Sequence, residues 1–297
     1  KMSKQKTTLL LVGIPGSGKS TFRNKLVKEN GAVYTNRDEI RIKLKSVRGS
    51  MKFSAFEDLV YAEEMKQLKE LMDQGHELIV VDDTHLSEKN INKVRLIAES
   101  KGYEFKIEFM TDSFDVPLCH KRNTGRPHEQ HVPAYVIETM AERFAGIWFQ
   151  YYAKDVVVKK DRQKAIIVDL DGTLAHNNTR GPFEWHRVGE DTVHHEVVDL
   201  VKFYKSTGHT IIAVSGRDGV CYPETEKWLL DHKIPFDMLF MRPQGDSRKD
   251  VYVKLEIYRD KIMADYNVTV SLDDRMQIVR AFRGIGLRCL QVQSGWF

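Results

Sequence analysis

The sequence predicts an α/β protein made of two doubly wound parallel-sheet domains, the second with little or no cap. Three observations carry this reading. Short apolar runs of strand length alternate with longer amphipathic stretches, the pattern of helix-covered parallel sheets. The alternation lapses at a charged interval, AKDVVVKKDRQ at 153–163, and then restarts. The chain has 297 residues, more than one ordinary domain holds. Domains are therefore expected over 1–154 and 155–297.

The elements follow in order. A buried strand is predicted over 7–12 and a helix over 19–30, which Gly31 can end as a left-handed cap. A short strand near 33–35 precedes a helix over 54–74. Strands at 77–83 and 105–110 alternate with helices at 88–101 and 133–150. In the second half, strands are expected at 165–169, 210–214, 237–241 and 268–272. Helices are expected at 193–207, 223–232, 249–264 and 275–284. No internal repeat or low-complexity tract interrupts the pattern.

Composition narrows the function classes. Apolar residues make up 41% and charged residues 30%, ordinary values for a soluble fold. The apolar runs fall far short of the ~20 residues that span a bilayer, and no signal-peptide pattern precedes the first strand. A soluble, cytoplasmic protein is expected. Cys119, Cys221 and Cys289 are widely spaced, so neither a disulfide framework nor a zinc site is suggested. Lys and Arg number 46 against 42 Asp and Glu, and a net charge of +4 alone does not indicate nucleic-acid binding. The cations are clustered, however. Arg37, Arg41, Lys43, Lys45 and Arg48 form one group, and Lys121, Arg122 and Arg126 another.

The stretch LLLVGIPGSGKSTF contains G-x-x-x-x-G-K-[ST] between a predicted strand and a predicted helix, the context in which this motif cradles nucleotide phosphates. Gly13, Pro15, Gly16, Ser17, Gly18, Lys19, Ser20 and Thr21 are the candidate ATP-binding residues. Lys19 would bridge the β- and γ-phosphates while the Ser20 hydroxyl meets Mg²⁺. Transfer also needs a carboxylate to take the acceptor proton and cations to offset developing charge. NRDEIR supplies Asp38 and Arg41, VDDTHL supplies Asp83 at a strand end, and HKRNTGRP places Arg122 and Arg126 four residues apart.

The second half opens with DLDGTL, the D-x-D-G-T start of haloacid-dehalogenase-like phosphatases. A turn after Leu170 is expected to direct Asp171 toward the substrate. Asp169 is then the candidate nucleophile and Asp171 the general acid and base. Ser215 and Gly216 in VSGR, Lys254 in a helix, and Asp273 with Asp274 in SLDDR supply the remaining parts. Gathered carboxylates repel without a cation, so Mg²⁺ is expected at Asp169, Asp171, Asp273 and Asp274. Lys249 competes with Lys254 for the phosphate-binding lysine.

The order GxPGSGKST, NRDxxR, xDTxL and KRNxxR, followed by DLDGTL, QGDxRKDxxxK and a terminal SGWF, resembles the T-even phage family of polynucleotide 5′-kinase/3′-phosphatases over essentially the whole chain. The resemblance implies that Asp38 is the general base, that Arg41 engages the acceptor phosphate, and that Arg122 and Arg126 contact the donor, Arg126 in a catalytic role. It places Asp83 and Thr84 in the acceptor site, favours Lys254 over Lys249, and assigns Arg180, Arg217 and Arg242 to the substrate phosphate. His85 departs from the Asn common in the family. ATP and Mg²⁺ are the implied cofactors. Implied partners are RNA or DNA ends, a ligase, and further copies of the chain, a tetramer in the phage family, in a host cytoplasm.

Two phosphate sites avoid futility if one phosphorylates a 5′-hydroxyl end and the other clears a 3′-phosphate. The alternatives are a kinase/phosphatase adjusting one small metabolite and a nucleotide-binding scaffold without catalysis.

Overall fold

The computed structural model describes residues 5–295, which form two compact units that divide between Ile147 and Trp148. Trp296 and Phe297 of the SGWF end lie outside the described residues.

The first unit contains β1 (Thr7–Val12), α1 (Lys19–Asn30), β2 (Val33–Asn36), α2 (Arg37–Lys43), α3 (Lys45–Arg48), α4 (Phe53–Asp73), β3 (Leu78–Asp82), α5 (Glu88–Ser100), β4 (Glu104–Phe109) and α6 (Val116–Thr124). It also holds most of α7 (Ala134–Tyr152). The strands form a parallel sheet in the order β2-β3-β1-β4. Leu10, Leu11 and Val12 of the central strand are fully buried, as a strand covered on both faces requires. Gly31 ends α1 in the left-handed conformation (φ 65°), its N–H donating to the Val27 carbonyl.

Helices α2 and α3 were not expected from the sequence. Only Ile40 of α2 is buried and no residue of α3 is, so neither carries an apolar stripe. Helix α2 is held instead by a cap, the Asn36 side chain accepting from the Glu39 N–H.

The second unit contains β5 (Gln163–Val168), β6 (Ala175–His176), β7 (Thr192–Val193), α8 (His195–Ser206), β8 (Thr210–Asp218), α9 (Tyr222–Asp231), β9 (Met238–Arg242), α10 (Asp250–Ile257), β10 (Tyr266–Arg275), α11 (Met276–Gly284) and β11 (Cys289–Gly295). Its main sheet is parallel in the order β11-β10-β5-β8-β9. A core of Ile166, Val168, Ile211, Ala213, Trp228 and Leu272 packs against it. Between β5 and α8 the chain makes only the antiparallel β6-β7 pair and a short 3₁₀ turn at Trp185–Glu190.

Two differences from the predicted elements have local causes. The helix expected over 249–264 stops at Ile257 and widens into a π-type turn over Tyr258–Ile262. Strand β11 was not expected because it lacks a continuous apolar run: buried Cys289 is followed by exposed Leu290, and then by glutamines at 291 and 293, as on a sheet edge. The last turn of α7 packs within the second unit: Trp148 lies edge-on to Tyr252 (5.8 Å), and Phe149 meets Tyr258 (5.7 Å).

Candidate active sites

In the first unit the glycine loop runs from the end of β1 into α1. Gly18, at φ 95°, occupies the N-cap position, with no capping side chain and no acid in the first turn, so the helix N-terminus is left open toward an anion. Gly16 is required by space as well as by its φ of 82°: a Cβ there would meet the Cys119 carbonyl oxygen at 2.3 Å. The Lys19 ammonium donates to the carbonyls of Gly13 and Ile14, each at 2.9 Å. Burial holds its pKa below the ordinary value, with Asp82 and Asp83 pulling the other way. Ser17 is buried with its hydroxyl unpartnered, whereas Ser20 and Thr21 are exposed. This cradle of inward donors fits a nucleotide phosphate. Pro15 is buried in the loop.

The other predicted kinase residues surround this loop. Arg122 of α6 reaches back to the Gly16 carbonyl (3.1 Å) and is held by Asp112 (2.8 Å). Arg126, one turn on, adds positive potential at Lys19. Thr84 accepts from the Gly13 N–H through its carbonyl (3.2 Å), fixing the β3 exit against the loop. Asp38 is exposed and accepts from Arg41 (2.6 Å), which is also clamped by Glu57. Asp83 pairs with Arg37 at 2.6 Å. Burial opposes its ionisation, but Arg37 and neighbouring positive charge outweigh that and hold the carboxyl below its usual range.

Further charges pack around these residues, and of them the sequence singled out only Arg37, as one of a basic group. Arg37 also binds buried Glu64 (2.6 Å), and burial pushes the Glu64 carboxyl up to about 6. Asp82 accepts from Arg23 (2.9 Å) and from the Asn36 amide (3.1 Å). Arg37 lies inside NRDEIR and Asp82 inside VDDTHL, so the motifs contained both. Arg23 and Glu64 had no signal beyond a charge on a helix face that turns out to be buried. His85 is 2% exposed, adopts a positive φ of 48°, and neither ring nitrogen has a partner.

In the second unit the site gathers at the carboxyl ends of β5, β8 and β10. Leu170 accepts from the N–H groups of Thr173, Leu174 and Ala175, and Gly172 at φ 80° completes the turn that redirects Asp171. The Lys254 ammonium donates to Asp169 (2.7 Å) and Asp273 (2.8 Å), with Asp250 at 3.8 Å. Burial opposes its charge, yet these carboxylates outweigh burial and raise its pKa well above the ordinary value. Burial raises the Asp169 pKa too.

Oxygens of Asp169, Asp273 and Asp274 lie within 4.8 Å of one another, the one such metal-competent group among the described residues. Both Asp274 oxygens are buried without a hydrogen-bond partner, and burial together with Asp169 pushes that carboxyl up to about 6. Three convergent carboxylates with an orphaned pair of oxygens fit a hard divalent cation such as Mg²⁺.

Asp171, expected at the metal, has its carboxylate elsewhere. It accepts from Arg217 through both oxygens (2.8 and 2.9 Å) and from Arg180 (3.0 Å). Burial disfavours its charge, but the Arg217 hydrogen bond and the two guanidiniums prevail and keep it below the usual range. Arg180 and Arg217, expected on the substrate phosphate, also share Asp191, which accepts at 2.8 and 2.6 Å. Arg242 is directed at protein acceptors, the Gly216 carbonyl (2.8 Å) and Asp250 (3.4 Å). Ser215 is buried, accepting from the Arg217 N–H (3.2 Å). Asp191 and Asp250 were not singled out in the sequence: Asp191 is an isolated acid whose importance lies in the arginines that fold onto it, whereas Asp250 stands inside QGDxRKDxxxK, where only Lys254 was assigned a role.

One chain thus holds two anion-type sites: a glycine loop at the N-terminus of a helix, and a cluster of buried carboxylates around Lys254 at the carboxyl ends of parallel strands. Residues 163–297 match the family described as the polynucleotide kinase PNKP phosphatase domain, and residues 9–147 match an AAA domain. The chain is 30% identical over 303 residues to a putative bifunctional polynucleotide kinase/RNA ligase of Autographa californica nuclear polyhedrosis virus, covering 96% of this chain and 42% of the relative. The chain therefore spans less than half the length of that relative. A chain of the solved Pnkp1/Rnl/Hen1 RNA repair complex is 26% identical, with 100% of this chain and 99% of that one covered at a TM-score of 0.46.

Proposed function

We propose that the protein heals broken nucleic-acid ends, transferring the ATP γ-phosphate to 5′-hydroxyl ends and hydrolysing 3′-phosphate ends. The observation that carries this is the pairing, in one chain, of a phosphate cradle beside an exposed carboxylate with an aspartate site of the PNKP phosphatase kind. A strand bearing 5′-phosphate and 3′-hydroxyl is then ready for a ligase.

In the first site the loop amides, Lys19, Arg122 and Arg126 orient the donor, Ser20 would help to hold Mg²⁺, and Asp38 accepts the proton of the attacking hydroxyl. Asp38 suits this role because it is solvent-facing and positioned by Arg41, while Asp83 fixes Arg37 at the floor. In the second site an Asp169 oxygen attacks phosphorus as the bond to the 3′-oxygen breaks, and Asp171, once it has taken up a proton from solvent against the pull of Arg180 and Arg217, supplies that proton to the departing oxygen. Water then attacks the aspartyl-phosphate, giving its proton to Asp171 and releasing phosphate. Lys254 orients Asp169, and Arg180 and Arg217 orient Asp171. Mg²⁺ held by Asp169, Asp273 and Asp274 would offset the charge of the phosphate.

The test is a 5′-hydroxyl, 3′-phosphate oligonucleotide incubated with ATP and Mg²⁺, both ends being analysed. Both ends should change. Lys19→Ala should abolish only the 5′ reaction and Asp169→Asn only the 3′ reaction. If neither end changes, or if each variant loses both activities while folded, the two-site reading fails.

A further inference from the structure

We infer that residues 42–53 form a platform for the single-stranded acceptor, holding nucleotides beyond the one that bears the reacting 5′-hydroxyl. The inference rests on the kinase reading above. From Ile40 to Phe56 the chain has no acidic residue, while Arg41, Lys43, Lys45, Arg48 and Lys52 all fall in this stretch. Large apolar side chains are interleaved with them and turned outward: Ile42 and Phe53 are each 66% exposed, and Val47 and Met51 are exposed as well. Isolated exposed apolar residues are ordinary, but four within twelve positions, set among cations, are not.

Three structural facts point to one occupant. The stretch continues directly from α2, which carries Asp38 and Arg41, and Arg41 is tied by Glu57 to the start of α4, so the patch borders the exposed carboxylate. The Arg48 guanidinium lies 5.9 Å from the Phe53 ring centre and 5.6 Å from that of Phe56, leaving an aromatic face beside a cation. Helix α4 begins at Phe53 with no capping side chain and no acid in its first turn, so its first N–H groups are left to an external acceptor. A single strand offers what this surface lacks, phosphates for the cations and helix end and flat bases for the ring. An acidic protein would satisfy the charges but leave the aromatic face without a planar partner.

The experiment uses the full chain with saturating ATP and Mg²⁺ and a series of 5′-hydroxyl acceptors: a nucleoside 3′-monophosphate, a dinucleotide, a hexanucleotide and a decanucleotide. Wild-type kcat/KM should rise with length. In Lys45→Ala/Arg48→Ala/Lys52→Ala, and separately in Phe53→Ala, that rise should flatten, with kcat/KM for the decanucleotide down by about tenfold. The values for the shortest acceptor and the KM for ATP should stay as in wild type. All four side chains are exposed, so the variants should fold. Variants that keep the full length dependence would overturn the platform, including the case in which they alter self-association or a protein contact instead. Failure of the wild type to phosphorylate any acceptor would overturn the kinase reading itself.

Discussion

Lys254 and His85 are buried ionisable residues in opposite electrostatic situations. Lys254 stands among Asp169, Asp273 and Asp250, and its removal would strand carboxylates already resisted by burial. Breaking a buried pair on one side typically costs about 3–5 kcal/mol. Lys254→Met should destabilise the second unit on that scale and abolish 3′ dephosphorylation while 5′ phosphorylation persists. Tryptophan fluorescence reports this selectively, because all 4 tryptophans lie at or beyond Trp148. His85 is the reverse case. Burial among the positive charges of Arg37 and Lys19 lowers its pKa to about 4 from 6.5, although Asp83 opposes the shift. Between those values the unfolded chain binds the proton that the native ring refuses. Its contribution is therefore fully present above pH 6.5 and is lost as pH falls toward 4. The contribution is on the order of 3 kcal/mol. Hydrogen exchange of β3 amides should show stability falling more steeply over this window in wild type than in His85→Asn; equal slopes would remove His85 as the cause. The sequence singled out His85 only as a departure from a resembling family. Its burial and the missing hydrogen bonds depend on tertiary packing that no local pattern encodes.

The elements that deliver catalytic groups were legible where backbone chemistry dictates them and illegible where only packing does. D-x-D-G-T implied a turn after Leu170, and the structure builds one because Gly172 accepts a positive φ beside Asp274. Helix α2 could not be read, since a seven-residue helix with one buried side chain lacks periodicity. The link between Asp171 and Asp191 was equally hidden: it passes through Arg180 and Arg217, whose targets no spacing fixes. The Gly172 turn yields a sharp expectation. A Cβ at this position would meet Asp274 Oδ2 at 2.3 Å, and φ 80° is strained for any L side chain. Gly172→Ala should push the Asp274 carboxylate away from those of Asp169 and Asp273, weakening Mg²⁺ binding and 3′ dephosphorylation by at least about tenfold, with 5′ phosphorylation intact. Mg²⁺ titration of phosphatase activity measures this, and an unchanged Mg²⁺ dependence would show that the turn tolerates a side chain.

At the scale of the whole chain, restarting periodicity revealed two sheets, yet the structure divides the units at 147/148, ahead of the charged interval at 153–163. The cause lies in the last turn of α7. The sequence reads 148–150 as the end of the helix expected over 133–150, whereas the aromatic residues of this turn pack within the second unit: Phe149 on Tyr258, Trp148 on Tyr252, and Tyr152 beneath the Arg259 guanidinium at 3.8 Å. The Tyr152 hydroxyl also donates to Glu256 (3.2 Å), and both Phe149 and Tyr258 are buried. These contacts brace the end of α10 and the π-type turn that follows, the same helix that presents Lys254 to Asp169. A phosphatase fragment cut at residue 163, where the family match begins, would lose this aromatic cover and expose Tyr258. Burying one large side chain contributes about 1.5–3 kcal/mol, so fragment 163–297 should be less stable than fragment 148–297 by at least about 2 kcal/mol. Its 3′-phosphatase activity should also fail at a lower denaturant concentration, because Lys254 loses the support behind its helix. Urea unfolding followed by circular dichroism, with 3′-phosphate release measured in parallel, compares the two fragments. Coincident unfolding and activity curves would mean that residues 148–162 contribute nothing to the phosphatase unit.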